Sequence, residues 1–199
     1  MGIRTIGIAA ALAGAMSATG CTVAVPGSPA ADPAALSRPA PSPRPPGPAF
    51  SDALNRFDVV PPPGWTVDTS GVQGTAVVFA DPQVSASPGG RFRANINVIV
   101  VPAGADLRTT VVSARQELTG LPRYRPTADE GVTLLDGTSA QLLGGTFDDP
   151  RSGLALRNVQ LLSVHAGETV VVTGTTLADE WAGHGRVLES SLRSLTVVT

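Results

Sequence analysis

From residue 50 onward the chain carries short runs in which apolar and polar side chains alternate. In 94–101 (ANINVIVV), Ala94, Ile96, Val98 and Val100 fall on one side, and Asn95 and Asn97 on the other, before Ile99 and Val101 make both sides apolar. A period of two belongs to a strand, and this one is expected to be covered on both faces at its C-terminal end. Residues 76–80, 132–135, 139–147, 154–164 and 169–175 read as strands in the same way, with turn signals at Asp136-Gly137, at 148–153 and at Ala166-Gly167. Strands that follow one another through short turns pair antiparallel. Two stretches switch to helical spacing. Leu107, Val111, Ala114 and Leu118 form a stripe behind Asp106, a residue suited to cap a helix, and Gly120 and Pro122 stop it. Leu177, Trp181, Leu188, Leu192 and Leu195 form a second stripe, in a helix expected to start near Thr176 with Asp179 as its capping partner. A narrow apolar stripe has to dock on something, so the fold class expected is α+β: a single antiparallel β-sheet with packed helices.

The first residues follow a different pattern. Met1 to Arg4 is basic, 5–16 is uncharged and rich in Ala, Gly and Ile, and Ser17-Ala18-Thr19-Gly20 leads to Cys21. This is the order of a secretory signal. Ala18-Thr19-Gly20-Cys21 resembles the lipobox of bacterial lipoproteins, in which small residues fit the signal peptidase and the cysteine thiol receives diacylglycerol; Ala18 stands where that family most often has Leu. An ordinary cleaved signal with a chance cysteine, or an uncleaved anchor over 5–25, are the alternatives. Lipidation of Cys21 is preferred because it consumes the only thiol of an exported chain, and because Gly, Ser and Thr dilute the segment too far for a good spanning helix. After it come Pro26, Pro29, Pro33, Pro39, Pro41, Pro43, Pro45, Pro46 and Pro48, half of the 18 prolines, among Ala, Ser and Gly. Such chain cannot build a core and favours an extended stalk of about 3.1 Å per residue. A Pro-rich ligand motif over 41–46 is the less favoured reading. The expected organisation is a signal peptide over 1–20, a lipidated, disordered linker over 21–49, and one folded domain over 50–199. The expected place is the outer face of the cytoplasmic membrane, in the cell envelope.

Composition narrows the function classes. A chain of 199 residues supports one ordinary core. All 14 basic residues are Arg and the net charge is −2, so no basic surplus exists to meet a nucleic-acid backbone. One cysteine excludes an internal disulfide and a cysteine-rich zinc site, and two histidines argue against a multi-His metal site, so neither cofactor nor metal is expected. His165 reads as a solvated turn residue and His184 as a residue at the edge of the core; neither stands near a nucleophile motif. Asp148-Asp149 lacks the alternating ligands of a calcium loop, and nothing in the sequence brings it together with Asp129-Glu130 as an acid/base pair. The remaining candidates are Arg91-Phe92-Arg93 and Arg123-Tyr124-Arg125, whose guanidinium groups and rings suit an anionic or sugar headgroup; the competing reading makes Phe92 and Tyr124 inward strand residues with exposed Arg neighbours. Trp65 and Trp181 are expected in the core.

Phe57-Asp-Val-Val-Pro-Pro-Pro-Gly64-Trp65, the strands, the helix, further strands and a closing helix from Glu180-Trp181 to Leu192-Arg-Ser-Leu195 resemble the PsbP-like fold. With the lipobox and the Pro-rich stalk, the chain is similar to the LpqN/LpqT family of mycobacterial and related actinobacterial lipoproteins. That resemblance implies a PsbP-like sandwich and an envelope-anchored accessory protein, and it supplies no catalytic residues. The function expected is non-catalytic: binding of an envelope lipid or glycolipid, or of the protein that exports it. The alternative is a surface adaptor that binds a protein, of the host or of the envelope, without a small-molecule ligand. No enzyme activity is expected, since no nucleophile and base can be paired.

Overall fold

The computed structural model describes residues 47–198. The signal segment, Cys21 and the linker as far as residue 46 lie outside them. The elements are β1 (Phe50–Ser51), β2 (Phe57–Val59), β3 (Thr66–Asp68), β4 (Val77–Ala80), β5 (Ser85–Ser87), β6 (Gly90–Phe92), β7 (Asn95–Pro102), α1 (Leu107–Thr119), β8 (Arg125–Thr133), β9 (Ser139–Asp148), β10 (Ala155–His165), β11 (Glu168–Leu177), α2 (Trp181–Arg193) and β12 (Thr196–Val197). Short 3-10 turns occupy Val72–Gly74 and Ala178–Glu180.

The single-sheet α+β expectation is corrected. Of the described residues 45% are in strands and 21% in helices, so the domain is mostly β. It has three antiparallel sheets: seven strands in the order β3-β4-β7-β11-β10-β9-β8, three in the order β1-β2-β12, and the pair β5-β6. The extra sheets are built from strands of two or three residues, too short for a period of two to register. β8 departs from the expected strand over 132–135 because it is an edge strand. It is exposed along most of its length, opens with Arg125-Pro126 and carries a bulge between Pro126 and Ala128, all devices that keep an edge from pairing further.

Where one face is buried and the other is not, the sequence pattern and the structure agree. Ala94, Ile96 and Val98 are buried, and Asn95 and Asn97 stand on the opposite side of β7. The turn between β10 and β11 places Ala166 and Gly167 at φ 48° and 82°, the doubly left-handed geometry that matches strand twist in a two-residue hairpin. α1 begins as expected: the Asp106 side chain accepts from the Thr109 amide at 2.8 Å, and Val111, Ala114 and Leu118 are buried. α2 begins later than expected. β11 stays paired with β10 to the register Leu177↔Leu156, so Thr176 and Leu177 are strand residues, and the helix opens at Trp181 with no side-chain cap. Ladder hydrogen bonds and full burial of Thr176 outweigh the local capping signal. Leu195 follows the helix and is still fully buried.

The seven-stranded sheet has two unequal faces. One carries the larger core, in which Phe79, Ile96, Val98, Leu142, Leu161 and Val172 meet Leu188 and Leu192 of α2 together with Phe57 and Val59 of β2. The other is covered by α1 only over β9 and β10, where Ala114 and Leu118 pack on Leu143 and Leu162. On that second face Val78, Asn95, Asn97, Thr173 and Thr175 remain partly exposed.

The β1–β2 connection is held by a local ion pair. Asp52, 8% exposed, accepts from Arg56 Nε at 2.7 Å and Nη2 at 3.0 Å and from the Leu54 amide at 3.2 Å. The hydrogen bond from Arg56 lowers the Asp52 pKa below the usual carboxylate value against the opposing effect of burial. A carboxylate whose folded pKa is depressed stabilises the protein above its unfolded pKa, and that contribution fades as pH falls through the folded value. Asp52→Asn is therefore expected to cost about 1–3 kcal/mol at neutral pH. Chemical denaturation repeated at acidic pH should show the gap between variant and wild type closing.

Candidate binding site

α1 lies across β9 and β10 without closing against their ends, which leaves two shallow depressions that share Leu107. One, of 480 Å³, lies between Leu107, Val164, Ser139 and His165; the other, of 370 Å³, is bounded by Leu107, Val111, Arg108, Arg115 and Gln141. Leu107, Val111 and Val164 are the apolar part of the lining; the rest is mostly polar and includes the Asp136-Gly137-Thr138 turn. One rim is fixed by a charged network: Arg115 donates to Asp129 at 2.8 and 2.7 Å, and Gln141 Nε2 donates to the same carboxylate at 2.6 Å. The Arg115 hydrogen bond holds the Asp129 pKa below its ordinary value. The geometry suits an apolar chain laid along the helix with polar groups beside it.

The arginine clusters sit at one end of the seven-stranded sheet but do not converge. Arg91 belongs to the β5-β6 hairpin and Arg93 leads into β7, whose Asn95 shares a row with Thr175, Asn158 and Gly145. Arg125 starts β8 and pairs with Thr146 of β9. β7 and β8 are separated by β11, β10 and β9, so the clusters stand about 19 Å apart at ordinary strand spacing, too far for one small headgroup to bridge. Tyr124 is partly buried: its ring lies against Gly145, where a Cβ would come within 2.2 Å of it, and its hydroxyl donates to the Gly144 carbonyl at 3.2 Å. Burial pushes the phenol pKa up, with the Asp129 charge adding to it. Tyr124 is thus a packing residue with one ring face engaged. Arg123, at φ 53°, pairs with Asp148, while Arg91, Arg93 and Arg125 are exposed.

His184 is held from two sides. Its Nε2 lies 3.1 Å from Asp81 Oδ2, and its Nδ1 lies 3.4 Å from both Thr176 Oγ1 and the Glu180 carbonyl; Ser85 donates to the Glu180 carboxylate at 2.5 Å. Thr176 is fully buried, and the partly buried Ser85 hydroxyl is turned to Glu180 rather than to the imidazole, so the cluster joins β4, β5, β11 and α2 at the edge of the core. His165 pairs with Glu168 beside the hairpin turn, on the rim of the larger depression. Trp65 and Trp181 both pack against the larger core and are partly exposed. Among the described residues no three His, Cys, Asp or Glu side chains come together as a metal site, and no helix is long and apolar enough to cross a membrane.

No family model matches the sequence, and no curated protein matches it. Solved structures do. LpqN of Mycobacterium tuberculosis, described as involved in cell envelope biogenesis, is similar to it with a TM-score of 0.59 and 18% identity over 76% of this chain and 90% of that one. The cyanobacterial PsbP protein of Synechocystis sp. PCC 6803 is similar with a TM-score of 0.51 and 16% identity over 75% and 91%. At these identities the likeness is one of fold, and the fold is PsbP-like.

One residue escaped the sequence reading. Arg157, near the start of β10 between Leu156 and Asn158, has its guanidinium carbon 4.0 Å from the centre of the Trp181 ring, and its Nε is buried without a hydrogen-bond partner. A charged residue on the helix-covered face of a central strand was the available signal.

Proposed function

We propose that this chain is a lipid-anchored, non-catalytic accessory protein of the cell envelope, of the LpqN/LpqT type, that binds an envelope lipid or glycolipid along α1 and serves the machinery that exports it. The observation that carries this reading is the pair of open depressions beside α1 that share Leu107, with Val111 and Val164 as their other aliphatic walls, on a PsbP-like scaffold. The lipobox-like Ala18-Thr19-Gly20-Cys21 supports the location, and the fold shared with LpqN supports the setting. Binding needs apolar walls and a few polar rims, whereas hydrolysis needs an activated nucleophile, and among the described hydrogen bonds the only hydroxyl that meets an imidazole is that of the fully buried Thr176.

Native mass spectrometry of the full chain purified from its own host tests the reading: a retained lipid mass is the expected result. Leu107 opens the helix and is only partly buried, so Leu107→Arg should leave the fold intact while weakening retention by about tenfold or more, the equivalent of one aliphatic side chain withdrawn from the contact. Equal retention by wild type and variant would remove the groove from consideration. Cys21→Ala should separately move the protein from the membrane fraction to the soluble one; a variant that stays with the membrane would replace the lipid anchor by a helical one.

A further inference from the structure

The first residue of β8, ahead of the bulge, joins a row of four residues that lie far apart in sequence. Arg125 pairs with Thr146, Thr146 with Arg157, and Arg157 with Thr176, so all four share one row across the sheet. Directly opposed residues of antiparallel strands point to the same side. At ordinary strand spacing the Arg125 and Arg157 backbones are about 10 Å apart with Thr146 between them, a span that two long guanidinium side chains close around one small anion. The side is the one that α2 packs on, since Arg157 lies over Trp181 of that helix. It is the face opposite the α1 groove.

The charges in this corner do not balance. Among the described residues neither Arg125 nor Arg157 has a carboxylate within ion-pair distance. Asp148 of β9 is engaged by Arg123 and Glu180 by Ser85 and His184, and Asp179, in the turn before Trp181, forms no ion pair with either arginine. Stacking on the indole holds the Arg157 fork in place without neutralising it, and its buried Nε has no acceptor. A fixed guanidinium, a second free one in the same row and a hydroxyl between them are the donor set of an oxyanion site.

We propose that Arg125, Thr146 and Arg157 form a binding site for a phosphate group, presented either by inorganic phosphate or by the headgroup of an anionic phospholipid. Arg157 is the pre-oriented donor, Arg125 the mobile one that completes the clamp, and Thr146 the neutral donor between them. The site is independent of the groove proposed for lipid, so Leu107→Arg leaves it unchanged.

The test is nuclear magnetic resonance of the labelled full chain in detergent, following the arginine Nε–H signals at constant ionic strength. Inorganic phosphate should give a saturable shift of the Arg157 and Arg125 signals, with affinity about tenfold weaker in Arg125→Gln and again in Arg157→Gln, as expected for loss of one charged hydrogen-bonding partner. Arg157→Lys, which keeps the charge and loses the planar fork, should fall between wild type and Arg157→Gln. Arg125 is exposed on an edge strand, so Arg125→Gln tests the site even if Arg157→Gln unfolds. In the second arm, phosphatidylglycerol vesicles that reproduce the shift where phosphatidylcholine vesicles do not, with the same sensitivity to Arg125→Gln, assign the phosphate to a lipid headgroup. Saturation by inorganic phosphate alone assigns it to the free ion. No saturable shift in either arm, or a shift that Arg125→Gln leaves untouched, overturns the proposal.

Discussion

Replacing Phe79 by Ala is expected to destabilise the domain by about 3–5 kcal/mol, a large share of the about 5–15 kcal/mol that a domain of this kind has in total. Phe79 is fully buried on β4, pairs with Ile96 across the ladder, and meets the Phe50 ring edge-on at 5.4 Å and 80°. Phe50 in turn leans on Phe57 at 6.3 Å, so the Phe79 ring is one of the contacts by which the β1-β2-β12 sheet sits on the seven-stranded one. The walls around it are strands fixed by their own hydrogen bonds and cannot move in to fill the space, which places the cost toward the upper part of the usual range. Urea unfolding should show a lower midpoint with an unchanged slope. Val101→Ala, on the outer part of β7 where the side chain is 42% exposed, should stay within about 0.5 kcal/mol of wild type. Similar losses from both variants would mean that the two sheets do not depend on this contact.

What the sequence made legible follows from which residues have a dry side and a wet side. β7 could be read because Ile96 and Val98 face a helix while Asn95 and Asn97 face outward, and α1 because its stripe is bounded by a working cap at Asp106. Only the end of β8, at Val132 and Thr133, could be read, since an edge strand exposed on both sides over most of its length has no alternation to display, and its pairing is set by β9 rather than by anything local. The start of α2 was misplaced for the same reason in reverse. Thr176 and Asp179 look like a cap, but the β10 ladder holds the chain extended as far as Leu177, a contact invisible in the local sequence.

The candidate sites divide along the same line. Arg123, Tyr124 and Arg125 are neighbours in sequence, yet they go to three different tasks: an ion pair with Asp148, packing on Gly145, and a row shared with Thr146. Arg123 stands in the turn before β8 with φ at 53°, and only Arg125 lies on the strand, so the turn separates what the sequence places side by side. Arg157 is the reverse case, a residue made interesting only by its register with Arg125 two strands away and by Trp181 beneath it. The groove beside α1 is likewise assembled from Leu107, Val111 and Val164, which no motif links.

Two glycines of α2 should respond to the same substitution with opposite signs. Glycine in a helix interior is ordinarily worse than alanine by about 0.5–1 kcal/mol, because it has more backbone freedom to lose. At Gly183 an added Cβ meets nothing within 4 Å, so Gly183→Ala is expected to raise stability by up to about that amount. At Gly185 the added Cβ would lie 2.5 Å from Cε2 and 2.6 Å from Nε1 of Trp181, closer than side-chain atoms approach one another. The indole cannot step aside freely, since it packs against the core on one side and carries the Arg157 guanidinium at 4.0 Å. Overpacking of this kind costs about 1–3 kcal/mol, which exceeds the gain in helix propensity, so Gly185→Ala should be destabilising and should loosen the Arg157 stack as the ring shifts. Thermal unfolding of the two variants side by side, with near-ultraviolet circular dichroism reporting on the tryptophan environment, reads both effects. Stabilisation by Gly185→Ala, with an unchanged tryptophan signal, would mean that the ring is not seated on this glycine and that Arg157 is held by something other than Trp181.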